Sequence, residues 1–415
     1  MVQLVQSVAG AGAGLSKRWR EWACAGGLSL ALTSAMVASA WAVGWVPNEI
    51  QVSSQPDLID YEFSQARGMF AWNDDVGRLW VGNVDRATGN FVPFNGQGIL
   101  VDPDSMTFQD AQKTKNGPEW VSTPQGDAIV YTKYAGRHTD GNSRIGFAQQ
   151  GSDGTWVGGM LGPDLVRKAP YGSLDAGDPA SRITYVDNKE VHYWRELANP
   201  ASEQVIADFP ASNYPIRHVR GARAVVYPLT INGTDQAFYR DFDTGIVQQL
   251  TFDTGNKYEI WMWRAPEFDN ELIFSTLIDQ TQLRVYRLLP TGNNGSMQWT
   301  PIYNQPAPSG NSIYSPEPFV WKGHSYIFMA QSVSPNKFRS EIWFSNIDSA
   351  NPIFRRITDN TLLRTRTDPE VFITDAGPLI YYNRLIPDVS TGRPRSCRSP
   401  SCSEGVYRAD PGPLN

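Results

Sequence analysis

Histidine and cysteine are scarce in this chain, whose 415 residues hold four histidines and three cysteines. His138, His192, His218 and His324 lie far apart, without H-E-x-x-H or comparable spacing, so histidine-based metal binding has no ligand set. No G-x-S-x-G elbow is present, which argues against a hydrolase with a serine nucleophile of that type. No Walker or dinucleotide glycine pattern sits at a strand-to-helix turn, and neither cofactor nor metal is expected. Beyond the N-terminus no long stretch carries helical periodicity. Positive charge is outnumbered, with a formal net charge of −6, which argues against nonspecific binding to nucleic acid or anionic lipid.

What the chain has instead is strand and turn chemistry: 12% aromatic residues, 36 glycines and 29 prolines. That mixture predicts an all-β fold. A proline–glutamate step recurs at Pro118-Glu119, Pro266-Glu267, Pro316-Glu317 and Pro369-Glu370, each beside a β-rich stretch. The last three are spaced 50 and 53 residues apart, a period expected of stacked β-sheet units and hence of a propeller.

Residues 1–42 read as an export signal, with basic Lys17, Arg18 and Arg20 ahead of an apolar run from Ala23 to Val37 and small residues at its end. An uncleaved membrane anchor is the other reading, because the apolar stretch through Val43 approaches a bilayer-spanning length. Both readings put residues 43–415, taken as one propeller domain, outside the cytoplasm, secreted or periplasmic. The membrane enters only through the N-terminal segment, and only if it is retained. After cleavage Cys397 and Cys402 remain, and in an oxidising compartment they read as a local disulfide that pins a loop.

Four short strands separated by turns recur along the chain. The first set spans Leu58–Phe63, Met69–Trp72, Arg78–Val81 and Asn90–Pro93, and the second runs from Pro118 to about Leu161. The third is less regular, with Arg182–Val186, Val191–Trp194 and Gln204–Ala207, and Asp178-Pro179 stands where the Pro-Glu step would be. The last set is short of an outer strand, which Glu49–Ser53 is expected to supply, closing the ring. The count is seven blades, or six if the irregular third set is an insertion. Trp120-Val-Ser-Thr-Pro-Gln-Gly-Asp-Ala-Ile-Val-Tyr131 resembles the tryptophan–turn–strand signature of TolB-like propellers, and Gln249-Leu-Thr-Phe-Asp-Thr-Gly255 and Arg356-Ile-Thr-Asp359 resemble their blade ends. The resemblance implies the fold; propellers host binding modules, hydrolases and lyases alike.

If the Pro-Glu steps are equivalent, Glu119, Glu267, Glu317 and Glu370 form part of a ring at the mouth of the central channel. Asp178 and Asp368 would lie beside them, one residue before the equivalent prolines. Crowded carboxylates raise one another's pKa, bind a cation or meet a basic partner. Arg217, Arg220, Arg223 and Arg264 are available for pairing, which would make the ring structural. The functional expectation is a binding propeller that holds a glycan or an extracytoplasmic protein at the channel mouth, with Trp120, Trp261 and Trp263 placed to stack on sugar rings. The alternative is a carbohydrate-active hydrolase or lyase using acids among the four glutamates, the proline–glutamate openings at Ser315–Phe319 and Asp368–Val371 being similar to those of five-bladed glycosidases. In the lyase version a metal would act with Arg217 or the neighbouring His218 as base.

Overall fold

The computed structural model describes residues 48–414 apart from 94–97, 108, 112–115, 176–177, 179, 208–215, 292–295, 309–310, 334–337, 349 and 389–399. The N-terminal segment 1–42 and Cys397 therefore lie outside the described residues. Among those described, no helix is long and apolar enough to cross a membrane.

Seven small antiparallel sheets make up seven propeller blades. Their innermost strands, in order from blade one to blade seven, are Ile59–Ser64, Glu119–Val121, Lys168–Gly172, Arg217–His218, Lys257–Ala265, Ile313–Trp321 and Thr365–Ile373. Each inner strand contacts the next, and the seventh contacts the first, so the ring is closed around a central channel. Every described inner strand is followed by its own second strand in the same sheet, so a six-blade count is ruled out. The irregular third blade is a full one: its inner strand is Lys168–Gly172, and Arg182–Val186 is its second strand.

Closure follows the sequence expectation. Glu49–Ser53 runs antiparallel to Ser403–Ala409 and completes the sheet of blade seven. Glu49 seals the joint, because its carboxylate takes Arg366 at 2.5 Å and Arg384 at 3.0 Å while only 6% of its side chain is exposed. The interface between blades seven and one is aromatic, with Phe63, Phe70, Phe91, Phe372 and Tyr381 in one cluster. Tyr381 donates its hydroxyl hydrogen to the carbonyl of Gly89 at 2.6 Å, so its polar end is satisfied inside that apolar layer.

One irregularity recurs on the inner strands. Asp60, Ala169, Glu259, Ser315 and Asp368 each have φ between 45° and 57°, and the pairing register shifts at each of these places. These are β-bulges, which bend a strand and re-aim the side chains that follow. The residue two positions on is Glu62, Tyr171, Trp261, Glu317 and Glu370 in turn. In blade two Gly117-Pro118-Glu119 has the same spacing. A Cβ on Gly117 would lie 2.5 Å from Asp60 Oδ2, so the close approach of blades one and two requires glycine there. The Pro-Glu step is thus the sequence trace of this bulge in blades six and seven, whereas in blade two it opens a strand whose register runs without a shift.

Candidate functional site

The bulges gather acids around the channel. Asp60 and Glu62 come from blade one, Glu119 from blade two, Glu259 from blade five, Glu317 from blade six, and Asp368 and Glu370 from blade seven. They face a common space, which Arg217 of blade four crosses to lie 3.9 Å from Glu317 of blade six. Glu119 of blade two is pushed up by Glu317 of blade six, and Glu370 of blade seven is pulled down by Arg217 of blade four. Groups on opposite sides of a ring influence one another only across its channel.

Burial is the largest cause of the perturbed pKa values, and the neighbouring carboxylates add to it. Asp60 is pushed up to about 6 by burial. Glu62 is held well above the usual carboxylate range by burial and then by Glu370, Glu119, Glu317 and Asp368. Burial likewise raises Asp368 and Glu370 well above that range, with Arg217 as a weaker opposing influence. Glu119 and Glu317 are also raised, each against the pull of Arg217.

Among the described residues, the guanidiniums that reach the channel acids or their strands come from blade four. Arg217 donates to Glu259 at 3.0 Å, lies 3.9 Å from Glu317 and stacks 3.8 Å from the centre of the Trp261 ring. Arg220 crosses from blade four to donate to the carbonyl of Pro318 in blade six at 2.9 Å, and it also lies over Trp261. Among the described residues, no ion pair reaches Asp60, Glu62, Glu119, Asp368 or Glu370. The Glu370 residue is only 8% exposed, and Asp60 Oδ2 is buried without a hydrogen-bond partner. The buried indole N–H of Trp261 is likewise unpartnered. No three acids, histidines or cysteines among the described residues are arranged to hold a metal ion.

Glu119, Glu317, Glu370, Asp368 and Arg217 do meet at the channel, and several of the expected residues stand elsewhere. Glu267 follows the inner strand of blade five, in the short helix Pro266–Phe268, instead of opening that strand. Five residues of strand rise, from Ile260 to Ala265, already carry the chain roughly 17 Å along the channel before that helix begins. The Glu267 carboxylate accepts hydrogen bonds from the Ser325 backbone N–H and hydroxyl at 2.8 and 3.0 Å. Asp178 lies between the first and second strands of blade three, where it pairs with the buried Arg182 at 2.6 Å. Trp120 and Trp263 are 1% and 2% exposed, which removes them as sugar-stacking platforms. Their indoles donate to the Glu62 carbonyl and the Ser325 hydroxyl. Arg264 donates to the carbonyls of Gly221 and Asn270 and so holds turns, not acids.

His218 is next to Arg217 on the inner strand of blade four, and burial pushes its pKa down to about 4, so its imidazole is neutral at pH 7. Three channel acids escaped the sequence reading. Asp60 and Glu62 have the acid–x–acid spacing of Asp368 and Glu370 without the proline, and Glu259 occupies the bulge position with isoleucine after it.

The sequence matches no protein-family model and no curated protein sequence. Among solved structures the chain is similar to TolB from Acinetobacter baumannii, at 13% identity over 82% of this chain and 78% of that one, with a TM-score of 0.36. A protein from Lactobacillus plantarum is 11% identical over 82% of this chain and 98% of that one, with a TM-score of 0.46. A TolB-like structure from Agrobacterium tumefaciens is 14% identical over 63% of this chain and 84% of that one, with a TM-score of 0.37. The chain is a seven-bladed β-propeller, with TolB-like propellers among its structural neighbours.

Proposed function

We propose that this is an exported binding propeller whose central channel receives a basic group, a guanidinium or ammonium, from an extracytoplasmic protein partner. The observation that carries this reading is the lopsided channel. Blades four to six hold a guanidinium in a box of Glu259, Glu317 and Trp261, whereas blades one, two and seven supply five carboxylates with no cation in ion-pair reach among the described residues. A ligand cation placed there relieves like-charge crowding and restores the ionised form of the acids, so much of its binding energy comes from strain already present. A bare metal ion fits less well, because the acids are spread around a ring and not gathered on one centre. Export rests on the basic and apolar N-terminal segment.

Fluorescence anisotropy with a labelled Gly-Gly-Arg-Gly-Gly peptide and its citrulline counterpart tests the reading. Expected is binding of the arginine peptide that weakens with salt, with the citrulline peptide weaker by roughly tenfold or more, since a charged hydrogen bond is lost. Glu62→Gln and Glu370→Gln should each weaken the arginine peptide to a similar extent. Equal affinity for both peptides, or none for either, would sink the reading.

The raised carboxyl pKa values also favour one second reading, a carbohydrate-active hydrolase or lyase with a protonated glutamate as the acid. A polysaccharide depolymerisation screen distinguishes it. Product released by the native protein and not by folded Glu317→Gln or Glu370→Gln variants would assign the acids to catalysis.

A further inference from the structure

A second cavity, of about 480 Å³, lies between blades five and six at the end of the inner strands remote from the channel acids. Its walls include Glu267, Phe268, Ile302, His324, Ile347 and Asp348. A volume of this size is in the range that takes a small ligand. We propose that this cavity is a binding site for a pyranose sugar, separate from the channel.

Two features of the cavity select that class. Phe268, Ile302 and Ile347 offer apolar surface, against which the C–H face of a sugar ring packs. Facing them are acceptors on rigid supports. Glu267 is fixed by the backbone N–H and hydroxyl of Ser325, and that hydroxyl in turn accepts from the Trp263 indole at 3.0 Å. Asp348 is fixed by the Ala350 N–H at 2.8 Å and the Asn351 side chain at 3.2 Å. Each carboxylate oxygen has lone pairs beyond the one already used, so both acids are positioned to accept hydroxyl hydrogens. The internal hydrogen bonds also spread their charge, which favours neutral donors over a compact cation. His324, exposed at the rim, adds a ring nitrogen that can donate or accept. Arg287 covers the Phe268 ring, 4.5 Å from its centre, but it is bound to Glu271 at 2.7 Å, and among the described residues no ion pair reaches Glu267 or Asp348.

Saturation-transfer NMR on the full chain tests the site with glucose, galactose, mannose, fucose and N-acetylglucosamine. Expected is transfer to the ring protons of at least one of them, unaffected by adding the arginine pentapeptide that addresses the channel. Ile302→Trp fills the cavity and should abolish the signal. His324→Ala, at an exposed position, and the near-isosteric Glu267→Gln should each weaken affinity, the latter roughly tenfold. No transfer from any of the five sugars would overturn the proposal. So would transfer that survives Ile302→Trp, transfer abolished by the arginine peptide, or displacement of the sugar by n-butylamine.

Discussion

Glu49→Ala should lower stability by about 3–5 kcal/mol, the loss typical when one partner of a buried ion pair is removed. Arg366 is fully buried, with 0% of its side chain exposed. Its guanidinium is otherwise held by the carbonyls of Ser340 and Asp359 at 3.1 and 2.7 Å, with the partly exposed Asp359 carboxylate as a weaker charged neighbour. Arg384 loses the same partner, although Glu404 still holds it at 2.6 Å. For a chain of this size the change in Tm is about 5 °C, read by calorimetry or far-ultraviolet circular dichroism. The variant should also aggregate more readily on size-exclusion chromatography, because a loosened Glu49–Ser53 leaves the edge of Ser403–Ala409 open. Glu49→Gln keeps the shape and part of the hydrogen bonding, so its loss should be smaller. An unchanged Tm in the alanine variant would mean that this strand does not close the ring in solution.

The second large effect is a stability that falls as pH rises. Asp60, Glu62 and Glu370 all bind a proton more tightly in the folded chain than in the unfolded one. Between the unfolded and the folded pKa the native state therefore carries the extra proton, and raising the pH destabilises it. Their contribution is intact below about pH 4, the ordinary carboxyl range. For Asp60 the loss is complete a little above its folded pKa of about 6. For Glu62 and Glu370 it continues to higher pH, since both lie well above the usual range. Every tenfold gain in proton affinity on folding corresponds to about 1.4 kcal/mol per group. A Glu62→Gln/Glu370→Gln double variant should thus melt several degrees higher than the native protein at pH 7.5 and differ little from it at pH 4.5. A saturating arginine peptide should raise the native Tm at pH 7.5 and leave the double variant unmoved. A native Tm that rises from pH 5 to pH 7.5, with the double variant less stable throughout, would show the acids to be paired structural groups.

Much of the ring was readable because turns and strand alternation are local. The strands of blades one and two, the closing strand Glu49–Ser53 and the 50-residue spacing of the later blades all follow from short-range chemistry. The channel acids were readable only where proline and glutamate stand together at the start of an inner strand or in its bulge. Pro316-Glu317 and Pro369-Glu370 mark it, but blade five builds the same bulge from Glu259-Ile260-Trp261, and blade one from Asp60-Tyr61-Glu62. A left-handed residue filled by alanine, serine, glutamate or aspartate leaves no type signal, because backbone pairing, and not side-chain chemistry, imposes it.

Pro266-Glu267 carries the same letters in a different place. There proline opens a short helix that ends the inner strand, a position that suits it because no backbone N–H is needed. Asp178-Pro179 misled for a related reason, since the true inner strand Lys168–Gly172 is short, partly exposed and carries Pro170 in its middle. A strand interrupted by proline reads as a loop. The disulfide between Cys397 and Cys402 stays an expectation of the sequence, with Cys402 ending the short helix Pro400–Cys402.

Titrating the glutamate side-chain carboxyl carbons by NMR, with and without the arginine pentapeptide, addresses the channel most directly. Resonances that vanish in Glu62→Gln, Glu119→Gln and Glu370→Gln should titrate well above 4.5 in the free protein and move down when the peptide is added, since a bound cation favours the ionised form. Glutamates that all titrate near 4.5, or elevated values that the peptide leaves in place, would contradict a channel built to receive a positive charge.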